Sequence, residues 1–466
     1  MEKRKVCAIS FLGLSLVLCL CEVAKTAGWT QLAKLAASDG ADSDWFGMSV
    51  SISGDYAIAA AINDDSNGSS SGSAYIFMRN GTNWNQQAKL VASDGAVDDF
   101  FGRSVSICPD YAIIGAYGDD DNGNTSGSAY IFVRNDTIWS QQAKLLASDG
   151  APGDVFGGSV SISGDYAIIG AYYDDDKGND SGAAYIFKRE GTTWYQQAKL
   201  LAPDGAEGDN FGYCVSISGD YAVIGAYYDD DNGSDSGSAY IFKREGTTWT
   251  QQAKLLASDG AADDYFGYSV SIISEYVVVG SVFDDDNGNN SGSAYIFKRD
   301  ETGWSQQAKL LASDGDIGDF FGKSVSIRSE HAIVGAYYKD DGGSNSGAAY
   351  IFKRDGTNWS PDARLLAFDV AAYDSFGVSV SIDNNSAVVG AYGDDDNGTN
   401  SGSAYMFSLC PGADLSNDCF VNSFDFAIIG SQWLQSTGFP SSDIAPDGVV
   451  DFLDLAVLAE QWLQDP

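Results

Sequence analysis

Two short stretches near the C-terminus place oxygen-bearing side chains at the spacing of a calcium loop. The first offers Asp414, Ser416, Asp418, the Phe420 carbonyl, Asn422 and Asp425. The second, at a spacing of 29, offers Asp443, Asp447, the Val449 carbonyl, Asp451 and Asp454. Oxygen donors at loop positions 1, 3, 5, 7, 9 and 12 suit the hard, flexible shell of Ca²⁺. Ala445 stands at the third position of the second loop and offers no side-chain oxygen, so that loop is expected to hold its ion more weakly. Each loop runs into a segment with one apolar helical face, Phe426, Ile429 and Trp433 in the first, Leu455, Leu458 and Trp462 in the second. A calcium-free helical hairpin is the alternative reading of the same residues.

A second population of carboxylates lies upstream. Asp119-Asp120-Asp121-Asn122-Gly123 has counterparts at Asp174, Asp229, Asp284 and Asp394, and Asp94 and Asp99 also recur. Adjacent aspartates lack the alternation of a loop that wraps an ion. Solvated turns are therefore set against a cation-attracting face, and Asp99 with its equivalents is expected to cap turns. Catalysis finds little support. His331 is the single histidine and stands where other units have Tyr; it is expected to be a surface turn residue. No Ser-His-Asp set or zinc cluster can be assembled, and a hydrolase using two carboxylates is the enzymatic alternative. The expectation is a non-enzymatic protein.

These side chains ride on a repeat. Trp29, Trp84, Trp139, Trp194, Trp249, Trp304 and Trp359 recur every 55 residues, as do the Phe-Gly pairs beginning at Phe46, Phe101, Phe156, Phe211, Phe266, Phe321 and Phe376. Each unit holds four strand signals: FGxSVSIS, the almost wholly apolar YAIIGA, GSAYIF and WxQQAKL, separated by Ser-Gly-Asp, Asp-Asn-Gly and Glu-Gly-Thr clusters. Four short antiparallel strands, seven times over, predict a propeller, with a solenoid as runner-up. The array opens on a lone fourth strand, Trp29 to Leu35, and closes on a unit that supplies only three. One plus three completes a blade, so the first strand is expected to close the ring and remove its edges. Strand order puts the acidic loops on one end and the Lys188-Arg189, Lys243-Arg244, Lys298-Arg299 and Lys353-Arg354 turns on the other. The Trp series is expected to pack blades.

The motifs FGxSVSIS, GDYAIIGA, SGSAYIF and WxQQAKLLASDGA resemble FG-GAP repeats of the bacterial type and, distantly, the propeller of integrin α-subunits. That resemblance implies an extracellular binding or adhesion propeller. The DxDxDG calcium loop that integrin-like repeats carry between their first two strands is replaced here by Ser-Gly-Asp-Tyr or similar. The duplicated tail segment resembles a dockerin, a module that docks onto cohesin domains of cell-surface scaffolds. Here Cys419 stands in place of the loop Gly. The resemblance places partner contacts at Ser423, Phe424, Phe452 and Leu453.

Composition bounds the rest. A formal charge of −39 at pH 7 argues against nucleic-acid or anionic-membrane binding. Lys3, Arg4 and Lys5 precede an apolar stretch from Val6 to Cys21, which reads as an export signal, with an uncleaved anchor as the alternative. Cys108 and Cys214 are expected to be free; Cys410 and Cys419 form a candidate disulfide in an exported protein. The expected fold class is an all-β seven-bladed β-propeller plus a small all-α, EF-hand-like (dockerin-like) module. The expected layout is a signal peptide over 1–27, the propeller over 29–407, a linker over 408–413 and the calcium module over 414–466. The expected function is a secreted binding or adhesion propeller tethered through Ca²⁺-dependent docking to a cohesin-like partner or cell surface. The alternative is a polysaccharide-associated component that binds, or less readily cleaves, glycans.

Overall fold

A computed structural model describes residues 28–410, 425–428, 454–455 and 457–458. The first stretch forms seven four-stranded antiparallel sheets, each built from consecutive strands except the last. Blade 1 contains Phe46–Ser53, Tyr56–Ala61, Ser73–Asn80 and Asn83–Leu90, here called inner, second, third and outer strands. Blades 2 to 6 repeat this order over 101–145, 159–200, 215–255, 266–310 and 321–365. Blade 7 joins Val380–Asp383, Ser386–Ala391 and Ser403–Cys410 to Gly28–Leu35, which takes the outer place. The described residues of the propeller and of the tail fall into separate compact units.

The strand patterns follow from what each strand must cover. After a partly buried Tyr111, YAIIGA is buried in blade 2, with Ala112, Ile113, Ile114 and Ala116 at 0% exposure, because a second strand is packed by neighbouring blades on both faces. Seven apolar clusters form, each between two adjacent blades, and a Phe of the Phe-Gly pair lies in every one.

The inner strands would leave backbone N–H groups facing a neighbour with which they form no ladder. FGxSVSIS solves this with its second serine. Ile52 N–H donates to Ser381 Oγ, Ile107 to Ser51, Ile162 to Ser106, Ile217 to Ser161, Ile272 to Ser216, Ile327 to Ser271 and Ile382 to Ser326, each at 3.2 Å. These seven bonds form an unbroken circuit in which the first blade donates to the last. A buried unpaired donor costs about 1–3 kcal/mol, which explains why small polar residues alternate with apolar ones here.

The Gln-Gln pair of the outer strand has a similar logic. Third and outer strands slip register between Ile131 and Phe132 and at the equivalent place elsewhere, so the second Gln is the extra residue of a bulge. That bulge aims Gln87 and Gln142 at the next blade, where Trp139 Nε1 and Trp194 Nε1 donate to them at 2.9 and 3.0 Å. The same Trp rings meet Tyr56 and Tyr111 edge-on. The Trp series therefore packs blades. Arginines paired with those Trp residues reinforce the seam: Arg134 lies over Tyr56 and Arg189 over Tyr111.

Glycine is required where backbones of adjacent blades touch. Gly127 has φ +82°, and a Cβ there would overlap the Phe156 carbonyl oxygen of the next blade. Gly54 is equally left-handed at φ +56° but has nothing near a Cβ. Gly54→Ala is expected to cost roughly the 1–2 kcal/mol of a left-handed alanine. Gly127→Ala should cost several-fold more, because blade spacing must change as well. Urea midpoints of the two variants check this, and equal losses would contradict the contact.

Candidate binding face

The loop from second to third strand and the loop from outer strand to the next blade meet at one end of the ring. Backbone bonds tie them: Val155 N–H donates to the Thr125 carbonyl and Phe156 N–H to that of Ser126. The tandem aspartates sit here, but they do not stand open. In blade 2 the Lys144 ammonium from WxQQAKL donates to Asp94, Asp119 and Asp121 at 2.9, 2.7 and 2.6 Å. It also lies 5.3 Å from the Tyr130 ring, whose hydroxyl donates to Asp119 at 2.9 Å. Lys199, Lys254 and Lys309 repeat this cluster of three carboxylates. Lys34 does so across the closure, bonding Asp369, Asp394 and Asp396. The oxygens of those three aspartates lie close enough together to hold a metal ion, but the ammonium occupies their midst.

The acidic loops do share this end, as expected, but they are not its only charges. The outer-strand lysines reach that end and neutralise its buried carboxylates. Blade 6 reverses the arrangement: Lys339 stands where the others have a buried Asp and bonds Asp319 at 3.1 Å, while Arg364 replaces the outer-strand lysine and pairs with Asp314 and Asp341.

Two kinds of buried aspartate result. Burial alone would raise the Asp119 carboxyl, but bonds from Lys144, Ser128, Asp121 N–H and Tyr130 hold it below its usual range. Asp154, Asp209, Asp264 and Asp374 instead cap turns, each accepting a backbone N–H three residues earlier. Burial is the largest influence on them and, aided by neighbouring aspartates, pushes each up to about 6. The signs oppose. The capping set contributes stability that is present at low pH and lost as pH rises through about 6. The lysine-bonded set contributes stability present above the unfolded pKa of roughly 4 and lost as pH falls below it. The melting temperature is therefore expected to rise from pH 7.5 to 5.5 and fall steeply below about 3.5. Asp→Asn at all four caps should flatten the upper slope; a parent profile flat between 7.5 and 5.5 would refute this assignment.

Around the axis at the same end stands a set of aromatic rings that the repeat pattern did not single out. The residue before each Phe-Gly is left-handed, and in four blades it is bulky: Trp45, Phe100, Tyr265 and Phe320, with φ between 55° and 58°. Such conformations are costly for aromatic residues and persist only where surrounding structure imposes them. Phe100 stacks on Tyr117 at 5.1 Å, Trp45 tilts against Tyr392, Tyr265 meets Phe283 and Phe320 meets Tyr338. A cleft of about 460 Å³ is lined by Tyr173, Tyr227, Tyr228, Tyr265, Asn210 and Asp230, among others. Beside it on the axis, the inner strands enclose a pocket of about 210 Å³. Their variable position after Phe-Gly projects Arg103, Tyr213, Tyr268 and Lys323 into that pocket. The available signal was variation: within otherwise near-identical units, these two positions differ from blade to blade.

His331 is not a turn residue. It lies in the second strand of blade 6 at 7% exposure, against Trp29 edge-on at 5.7 Å, in the place of the inter-blade Tyr. Burial lowers its pKa. Cys108 and Cys214 are free, and Cys410 is disulfide-bonded. Of the tail residues, Asp425 and Asp454 are described. Both are fully buried and helical. Asp414, Ser416, Asp418, Phe420, Asn422, Asp443, Asp447, Val449 and Asp451 lie outside the described residues. So do Ser423, Phe424, Phe452, Leu453 and Cys419. Among the described residues no helix is long and apolar enough to cross a membrane.

A family model described as FG-GAP repeat matches residues 29–77, 84–132, 139–187, 194–242, 249–297, 304–352 and 359–407, more than half of the chain. No curated protein matches it.

Proposed function

The chain belongs to the FG-GAP repeat family, and from that premise we propose that it is a binding or adhesion protein whose recognition surface is the aromatic end of its ring. The observation that carries this is the set of bulky residues held left-handed around the axis, Trp45, Phe100, Tyr265 and Phe320. Trp45 is exposed and Phe100, Tyr265 and Phe320 are half-buried at the mouth, so their rings remain available to a ligand. Tyrosines beside carboxylates and an amide, as in the cleft of Tyr173, Tyr227, Tyr228, Tyr265, Asn210 and Asp230, suit a polyhydroxylated ligand: ring faces cover its apolar side while oxygens accept its hydroxyl protons. This favours a glycan and links the reading to the polysaccharide-associated alternative. The test is a glycan and matrix-protein array, with the parent against Tyr228→Ala/Tyr265→Ala. Loss of the parent's hits in the variant is expected; identical hits would place recognition elsewhere.

The second element of the proposal is a calcium-dependent tether. The twelfth-position carboxylates Asp425 and Asp454 are buried in helical residues, which supports a shared interior donor set. The residues that would complete it are Asp414, Ser416, Asp418, the Phe420 carbonyl and Asn422, and in the weaker loop Asp443, Asp447, the Val449 carbonyl and Asp451. Such a module would be exported with the propeller and dock on a cohesin-like domain through Ser423, Phe424, Phe452 and Leu453, with Cys410 paired to Cys419. Isothermal titration should show two unequal Ca²⁺ sites, one abolished by Asp425→Ala and the other by Asp454→Ala. Chelator should leave the propeller's unfolding transition in place, because lysines already neutralise its acidic clusters. Unaltered calcium uptake in both variants would remove the tether from this proposal.

A further inference from the structure

The axial pocket sets Arg103, Lys323, Tyr213 and Tyr268 among serines and valines of the inner strands, and brings no carboxylate to them. The Arg103 guanidinium lines it and, among the described residues, makes no ion pair or side-chain hydrogen bond; it is only half-buried, since its end meets the pocket. Lys323 lines it too and likewise has no carboxylate within salt-bridge distance. Its Nζ donates to Tyr268 Oη at 2.7 Å. Tyr213 and Tyr268 join hydroxyl to hydroxyl at 3.0 Å. Whichever of the two donates, one hydroxyl proton is left without an acceptor among the described residues. Lys323 keeps further N–H groups, and Arg103 keeps its whole fork.

This contrasts with the outer-strand lysines, each of which is set among carboxylates in a chain of 65 acidic residues. Two cations brought to one narrow pocket without a carboxylate carry a desolvation cost that only tyrosines offset, the Tyr268 and Tyr337 rings lying 4.6 and 5.4 Å from the Lys323 ammonium. Burial, together with Arg103, lowers the Lys323 pKa. The group that would satisfy guanidinium, ammonium and hydroxyl together is an acceptor-only anion, and a carboxylate has that chemistry.

The surroundings define what carries it. Gly158 leaves the room that Tyr172 fills, since a Cβ there would press on the Tyr172 ring. Tyr172 meets Tyr213 at 5.3 Å, and Tyr213 meets Tyr227 at 4.3 Å. Ring faces thus run without a break from the pocket into the aromatic cleft. That cleft is rimmed by Asp180, Asp230 and Asp235, which would repel any ligand bearing several negative charges. We propose that the axial pocket receives the single carboxylate of a uronic-acid unit carried on an otherwise neutral glycan. Arg103, Lys323 and a tyrosine hydroxyl hold the carboxylate, and the neighbouring neutral sugars lie along the tyrosine cleft. This assignment rests on the reading of the aromatic end as a recognition surface.

Isothermal titration of the full chain with an aldotriouronic acid, a trisaccharide bearing one carboxylate, tests it. Binding is expected, weakening with salt and falling at least tenfold in Arg103→Gln and in Lys323→Gln. The carboxyl-reduced trisaccharide should bind the parent more weakly, and equally in parent and variants, which also shows that the variants remain folded. No binding to the parent, or equal binding of the acid to all three proteins, would overturn the proposal. Preferential binding of tetraglutamate, lost in the same variants, would overturn the sugar and leave the anion site. Array hits lost in Tyr228→Ala/Tyr265→Ala, with no binding of the uronate, would sink the axial site while keeping the recognition surface.

Discussion

Lys144→Ala is expected to destabilise the propeller by about 3–5 kcal/mol, the loss seen when one partner of a buried ion pair is removed. Asp119 is buried, at 4% exposure, and among the described residues Lys144 is its only cation. Without the ammonium, Asp119 is left beside Asp94 and Asp121, and Tyr130 loses the charge near its ring. The carboxyls would then hold their protons to higher pH, so the variant should regain stability on acidification to about pH 5, where the parent's cluster is still ionised. Lys144→Arg keeps the charge but adds a planar head too large for a site of three converging oxygens, and should recover only part of the loss. The exposed pair Lys188–Glu190 supplies the control: Lys188→Ala should leave the urea midpoint essentially unchanged. Equal urea midpoints for Lys144→Ala and Lys188→Ala would mean that the cluster is merely a surface network.

The lysine clusters mark where sequence reasoning stopped. The period of 55, the four strand patterns and the lone Trp29–Leu35 segment are local and repetitive, and each follows from alternation and turn chemistry. The ring could therefore be read from the sequence, including which loops share an end. What Lys144 touches could not, because it lies 25 residues from Asp119 and 50 from Asp94. On an alternating outer strand it reads as a solvated residue. The aromatic mouth was hidden for another reason. Repetition draws the eye to constant positions, whereas Phe100, Arg103, Tyr265 and Lys323 occupy the varying ones. His331 reads as a turn residue because it directly follows Ser329-Glu330; its burial against Trp29 becomes visible only when the next blade is in place. The turn-cap role of Asp99 was legible, because Ala96 N–H reaches it within one turn.

Removing residues 28–35 is expected to abolish the folded monomer. This strand is the outer member of blade 7, so its loss bares the edge of Ser403–Cys410. It also removes Lys34, whose ammonium bonds Asp369, Asp394 and Asp396. It further takes away Trp29, which covers His331 and donates to Asp362 at 3.0 Å, and Leu35, which is buried at 2% exposure. The serine circuit makes the damage non-local. Ile52 N–H reaches Ser381, so a loosened blade 7 opens blade 1 as well, and an opened ring presents two unprotected faces where it had none. Exposed strand edges and bared apolar faces pair with other chains, so light scattering should report oligomers in place of monomer. A synthetic peptide of residues 28–38 should restore the monomer by re-entering the vacant edge, and its Lys34→Ala version should not, because the carboxylates would enter the interior unneutralised. A deletion variant that stays monomeric with an unchanged melting temperature would show that six and three-quarter blades suffice, and that the circuit of hydrogen bonds does not couple the first blade to the last.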